Sequence, residues 1–244
     1  MPVKHKTALT FLAPLDAPTT GPAVQDALVA MIEAAALGIG DRLPPEVALA
    51  STLGVGRSTI REAMNRWEGL GIIRRRRGDG TYLTARVQSS RGPLPTMIGL
   101  EGEALLRLLE VRRVLESGTV RQAALLATPE QRGTIARLCD ELLAVVDAGL
   151  PYRQADMAFH GAICDATGNP MFGQLLRYLD QAFERSEDAP FNLNAFGLGS
   201  FPIHRDLSDA ILAADPDAAA SAIHAIIDSV AHEIRQIIGA APGR

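Results

Sequence analysis

Residues 41–83, DRLPPEVALASTLGVGRSTIREAMNRWEGLGIIRRRRGDGTYL, constrain the fold more than any other part of the chain. Prolines 44 and 45 open a short helical pattern carrying Val47, Leu49, Ala50 and Leu53, and Gly54 and Gly56 bracket a tight turn. A second helix is expected from Arg57 to about Leu70, with Ile60, Ala63, Met64 and Trp67 as its inward stripe and Gly69 and Gly71 as its stop. Ile72 and Ile73 start a strand, Gly78-Asp79-Gly80 turn it, and Thr81-Tyr82-Leu83 return. An earlier helix is marked by Val24, Leu28, Met31, Ile32 and Ala35, with Pro22 in its first turn. Together these segments predict a winged helix-turn-helix of three helices and a β-hairpin wing over residues 21–85.

This order of elements suits duplex DNA. Arg57, Ser58, Thr59 and Arg61 cluster on the N-terminal turn of the second helix, the part that enters the major groove in helix-turn-helix docking. Arginine can bond guanine bidentately, whereas Ser and Thr serve phosphates or either base. Arg74 to Arg77 form an unbroken cationic run, and strand alternation sends some of them to the opposite side from the rest. Arg75 and Arg77 are taken as DNA contacts, with Gly78 and Gly80 letting the wing tip approach the backbone closely. An arginine run alone is weak evidence, since charge runs are usually solvated faces. A glycine turn, a recognition helix and a basic hairpin in succession are far harder to obtain by chance.

The charge distribution supports a division of labour. The net charge of −4 hides 12 Lys/Arg against 8 Asp/Glu in residues 1–91 and 12 against 20 in residues 92–244. The basic front half fits a nucleic-acid partner and the acidic back half something else. Residues 1–20 contain three prolines and no periodicity, so they are expected to be a flexible arm. Residues 86–100 have linker composition, and residues 239–244 form a tail.

From residue 101 to 238 apolar periodicity predicts an all-α bundle of about six helices, over 103–126, 130–148, 151–167, 170–188, 203–214 and 216–238. The chain is thus expected to be mostly α. The one long non-helical stretch, roughly 189–202, holds three Phe and is placed to lid or line a pocket. With a 5% aromatic content, no signal-peptide pattern and no apolar run near the ~18 residues of a membrane span, a cytoplasmic protein away from any membrane is expected. Cys139 and Cys164 read as small buried thiols.

Asp156 and His160 are four residues apart, so on a helix they share a face. His160, His204 and His224 fall on three separate helices. Imidazole with carboxylate suits a divalent metal, zinc first, with nickel, manganese or iron as further candidates. Each histidine taken alone reads as an ordinary, partly buried residue.

The stretch 43–83 resembles the winged helix of the GntR family of bacterial transcription regulators, and residues 101–238 resemble the ligand-binding FCD domain of its FadR-type branch. The resemblance implies a DNA-binding regulator, a homodimer on a pseudo-palindromic operator, repressing until a small carboxylate binds. Metal-binding members carry Asp-x-x-x-His, a His opening the penultimate helix and another in the last helix. Asp156, His160, His204 and His224 are matched to these positions. Arg112 resembles a first-helix arginine that pairs with an acidic effector, although an intrahelical pair with Glu116 or Glu110 is its plain alternative. A metal beside an arginine favours sugar or hydroxy acids over a fatty acyl chain.

Two departures stand out: Val47 where many members carry a DNA-contacting arginine, and Gly56 where Ser is usual, a change that weakens the helix cap by only ~0.1–0.5 kcal/mol. Two other functions fit parts of the pattern. A metal-dependent hydrolase would need a general base and oxyanion donors, for which no motif is found. A metal-stabilised dimerisation module would leave the polar constellation without a purpose.

Overall fold

The computed structural model describes residues 7–15, 21–87, 96–184 and 196–239. It divides into two compact units, residues 1–104 and 105–244.

In the first unit α1 (Gly21–Ala34) buries Val24, Leu28, Met31 and Ile32, the i, i+4, i+7, i+8 stripe of its sequence. α2 (Glu46–Leu53) buries Leu49, Ala50 and Leu53 and ends at Gly54, whose φ of +69° closes the turn into α3. α3 (Arg57–Gly69) buries Ile60, Ala63, Met64 and Trp67. The wing follows as β1 (Ile73–Arg76) and β2 (Gly80–Leu83), antiparallel, with Arg74 opposite Tyr82 and Arg76 opposite Gly80. The segment 40–43 pairs with the other edge of β2, through Leu43 N–H to the Thr81 carbonyl (2.8 Å) and an Arg42–Tyr82 bridge.

The expected arm is partly structured. Leu9–Phe11 form a 3-10 turn, Ala8 is wholly buried, and Leu9, Leu12 and Leu15 pack on the same core as α1 to α3. Leu15 N–H donates to the Leu53 carbonyl at 3.0 Å. The composition of residues 1–20 suggested a free arm because only four apolar side chains are needed to dock it. Residues 1–6 and 16–20 lie outside the described set.

The expected linker is shorter than 86–100. α4 (Thr96–Leu126) begins five residues early, since nothing after Pro95 interrupts helical periodicity. Its first turns belong to the first unit, where Leu100 joins the core and the buried Glu101 accepts from Arg66.

The second unit contains the rest of α4 and α5 (Pro129–Asp147), α6 (Arg153–Ala166), α7 (Pro170–Glu184), α8 (Phe201–Leu212) and α9 (Pro216–Ile238), the six helices expected. Thr128 and Gln131 form a reciprocal capping box at α5, and Asp215 caps α9 by accepting from the N–H groups of Asp217 and Ala218. α5 packs on α6 and α8, and α8 packs on α9. Ion pairs Arg113–Asp228 and Arg121–Asp217 tie α4 to α9. Cys139 and Cys164 are free and buried, and burial pushes the Cys164 thiol up to about 12. Among the described residues no helix is long and apolar enough to cross a membrane.

Candidate nucleic-acid interface and effector pocket

The recognition helix α3 presents Arg57, Ser58 and Arg61 to solvent, with Thr59 half-buried. Gly56 stands at its N-cap with φ −64° and ψ 146° and has no side chain to offer the first-turn N–H groups. An outside anion can therefore meet them. Val47, exposed on the first turn of α2, supplies no cation there.

The wing departs from expectation at Arg75. Residues 73 and 75 share the strand face that carries the buried Ile73, so Arg75 turns towards the domain. Its guanidinium donates to Glu68 (2.8 Å), Asn65 (2.7 Å) and Glu46 (3.0 Å), while its N–H donates to Glu68 at 3.0 Å. The backbone donation and the guanidinium lower the Glu68 carboxyl below its ordinary range. Arg75 is consequently a brace joining α2, α3 and β1, and its fork is engaged within the domain. Arg77 and Gly78 are exposed at the turn, and Gly80, half-buried, has a φ of +151°.

The second unit holds a cavity of about 200 Å³. α4 contributes Arg112 and Glu116, α6 Asp156 and His160, α7 Asp180, and α8 His204. Its ceiling is the segment before α8, where Ser200 Oγ donates to the Gly197 carbonyl (2.7 Å) and Glu233 accepts from Gly197 N–H (2.8 Å). Tyr152 also donates to the Phe196 carbonyl. The part of the 189–202 stretch within the described residues thus lines the pocket, as its phenylalanines suggested; residues 189–195 lie outside that set. The aromatic ring of Phe201 stacks on His204 at 5.2 Å.

Asp156, His160 and His204 aim one donor atom each at a common point. Asp156 Oδ1 stands 3.3 Å from His204 Nε2 and 3.7 Å from His160 Nε2, and the two Nε2 atoms are 3.3 Å apart. Donors bound at about 2.0–2.2 Å around a tetrahedral ion stand roughly 3.3–3.6 Å from one another, so the spacing fits a first-row divalent metal. The protonation pattern fits as well. His204 Nδ1 faces the Ser200 carbonyl at 3.1 Å, and His160 Nδ1 faces Glu116 Oε2 at 3.8 Å. The Ser200 carbonyl only accepts, so a proton on Nδ1 of His204 would leave its Nε2 lone pair to a metal. Burial holds His160 below the ordinary imidazole range. Burial works to raise Asp156, but His204, His160 and Arg112 together keep it below the usual carboxylate range.

His224 does not join this set. It is half-buried on α9, whose contribution to the pocket wall is Ile226, Ile227 and Val230. Residues 224 and 226 are about 200° apart around a helix, so His224 does not share the direction of Ile226. Periodicity in SAIHAIID was the available signal, because Ile223, Ile226 and Ile227 are the buried stripe.

Arg112 lines the pocket with its fork already engaged by Glu116 Oε1 (2.6 Å) and Asp180 Oδ1 (3.3 Å). Burial opposes its charge, yet these two carboxylates outweigh that and raise its pKa. Asp180 was missed in the sequence, where it is one acid among many on a helix. Burial pushes its carboxyl up, with Arg112 opposing. Asn169 caps the start of α7, accepting from Met171 N–H at 3.0 Å.

Comparison with known proteins agrees with both halves. Residues 20–83 match the family model of bacterial regulatory proteins of the gntR family, and residues 107–229 match that of the FCD domain. The "Putative L-lactate dehydrogenase operon regulatory protein" of Escherichia coli is 32% identical over 216 residues, 85% of this chain and 83% of that one. The HTH-type transcriptional regulator LutR of Bacillus subtilis is 32% identical over 150 residues, covering 61% and 68%. A GntR-family transcriptional regulator from Pseudomonas syringae shares the fold, with a TM-score of 0.56 at 18% identity, covering 98% and 97%. On this sequence and domain evidence, the chain belongs to the GntR family of bacterial transcription regulators and carries a C-terminal FCD domain.

Proposed function

We propose that this regulator represses its target by binding a pseudo-palindromic operator as a homodimer, and that a small hydroxy or sugar acid bound beside a divalent metal releases it. Arg57, Ser58, Thr59 and Arg61 read the major groove, with Arg77, Gly78 and Gly80 at the wing tip. Asp156, His160 and His204 hold the metal. The observation that carries the sensor reading is the convergence of Asp156 Oδ1 and the two histidine Nε2 atoms at 3.3–3.7 Å. A divalent cation among them would engage all three donor atoms at once.

The pocket charges support an acid that depends on that cation. Arg112 and Arg153 face Glu116, Asp156 and Asp180, a formal excess of one negative charge. A divalent ion reverses the sign and leaves coordination positions open to a carboxylate and a neighbouring hydroxyl. A bound metal would supply the Lewis-acidic anchor, and the Ser200 carbonyl orients His204 towards it. A volume near 200 Å³ lies below the roughly 300–1,000 Å³ of drug-sized sites and suits a small acid. A relative named for an L-lactate dehydrogenase operon points to the same chemical class.

The test is elemental analysis of the purified protein, followed by thermal melting with L-lactate and a panel of aldonates and uronates, with and without chelator. Stabilisation by an acid only in the metal-loaded protein is expected. A metal-free preparation that takes up no zinc, nickel, manganese or iron overturns the reading.

A further inference from the structure

We infer that Asp180 sets the charge class of the effector, so that the pocket admits a monocarboxylate and rejects a dicarboxylate of the same carbon chain. The inference rests on the small-acid pocket proposed above and deepens it, by giving a selective role to a residue outside the metal cluster.

The three acids on the pocket wall are not equivalent. Asp156 Oδ1 is gathered with the two histidine Nε2 atoms, 3.3 Å from that of His204 and 3.7 Å from that of His160. Glu116 is buried and divides its oxygens: Oε1 accepts from Arg112 Nε at 2.6 Å, and Oε2 lies 3.8 Å from His160 Nδ1. Asp180 stands apart from the cluster. Among the described residues it is the side chain that α7 adds to the wall, and its ion-pair partner is Arg112, 3.3 Å from Oδ1. Burial opposes its charge and Arg112 favours it.

One carboxylate of an effector can be met by Arg112 and the cluster. A second finds no comparable partner. A sphere of about 200 Å³ is about 7 Å across, so both ends of a bound acid lie within reach of the Asp180 charge. At about 7 Å and an effective dielectric constant of about 20, two like charges repel enough to weaken binding more than tenfold. The remaining wall does not offset this. Leu109, Ile226, Ile227 and Val230 are apolar, and a carboxylate buried against them loses its hydration without replacement. Arg153, the other cation of the wall, is exposed, so water screens its attraction. A terminal hydroxyl or methyl at the same place carries no charge and escapes the repulsion.

The experiment uses full-length, zinc-loaded protein and acids that differ at one terminal carbon. L-lactate and D-glycerate are compared with tartronate, and D-gluconate with D-glucarate. Isothermal titration gives dissociation constants for wild type, Asp180→Asn and Asp180→Glu, and the deciding quantity is the ratio of the dicarboxylate constant to the monocarboxylate constant. A wild-type ratio of about ten or more is expected. Asp180→Asn should lower it about tenfold, and Asp180→Glu, which keeps the charge, should preserve it. Releasing Arg112 from its partner would raise both affinities together and leave the ratio unmoved. Zinc chelation by a dicarboxylate in solution acts alike on all three proteins and cancels between them. Zinc content and thermal melts confirm that the variants are loaded and folded.

A wild-type ratio of one or less overturns the proposal, whatever the variants do. So does an unchanged ratio in Asp180→Asn. If none of the five acids binds any of the three proteins, the small-acid reading of the pocket falls, and the role of Asp180 with it.

Discussion

At the scale of single residues, side-chain direction decides role. Arg75 and Arg74 are neighbours in a four-arginine run, yet one braces the domain and the other is exposed. Arg75→Ala removes partners from Glu46 and Glu68 together and should destabilise the first unit by about 1–2 kcal/mol, read as a lower denaturant midpoint. Arg77→Ala should leave that midpoint unchanged. The same logic separates the histidines. Zinc content after dialysis should fall to background in His160→Ala and stay at the wild-type level in His224→Ala; loss of metal in the second would return His224 to the ligand set. The Asp-x-x-x-His pair was legible because four-residue spacing fixes a shared face. The partner histidine was not assured by spacing, since it depends on which face of α9 the bundle buries.

At the scale of elements, helices were readable almost to their ends, because proline and glycine mark them chemically. Thr128-Pro129 and Asp215-Pro216 each join a capping residue to a proline in the first turn. Docking of short segments was less readable. Residues 7–15 contribute a buried Ala8 and a backbone bond from Leu15 to α2. Ala8→Asp buries an unpaired carboxylate and should cost about 2–3 kcal/mol of the first unit's stability, with no effect on metal content. α7 carries the other unexpected contribution. Asp180 occupies one side of the Arg112 fork, where an acidic effector would compete with it. Asp180→Asn should therefore tighten binding of whichever acid stabilises the wild type by about three- to tenfold in isothermal titration. Weaker binding would show that Asp180 itself accepts from the effector.

At the scale of the whole molecule, the proposed metal and DNA sites fall in different compact units. Chelation is expected to lower the melting temperature of the second unit. A ligand present at 100 times its dissociation constant contributes about 2.7 kcal/mol of stability, and all of it is lost on removal. Binding to nonspecific duplex should survive chelation, as measured by anisotropy. Loss of that binding together with the metal would mean that the cation supports the DNA-binding state directly.

Apolar periodicity, turn glycines and helix caps are local properties. They determined the mostly helical character, the winged helix-turn-helix and the six-helix second half without reference to distant contacts. Tertiary structure alone decided which side chains meet across elements. It set Arg75 against Glu46, placed Asp180 beside Arg112, brought Arg42 into line with the wing from 32 residues upstream of Arg74, and put Ile226 rather than His224 on the pocket wall. The physical reason is that a helix or strand fixes the angle between its own side chains, whereas the face it buries depends on what the rest of the chain packs against it.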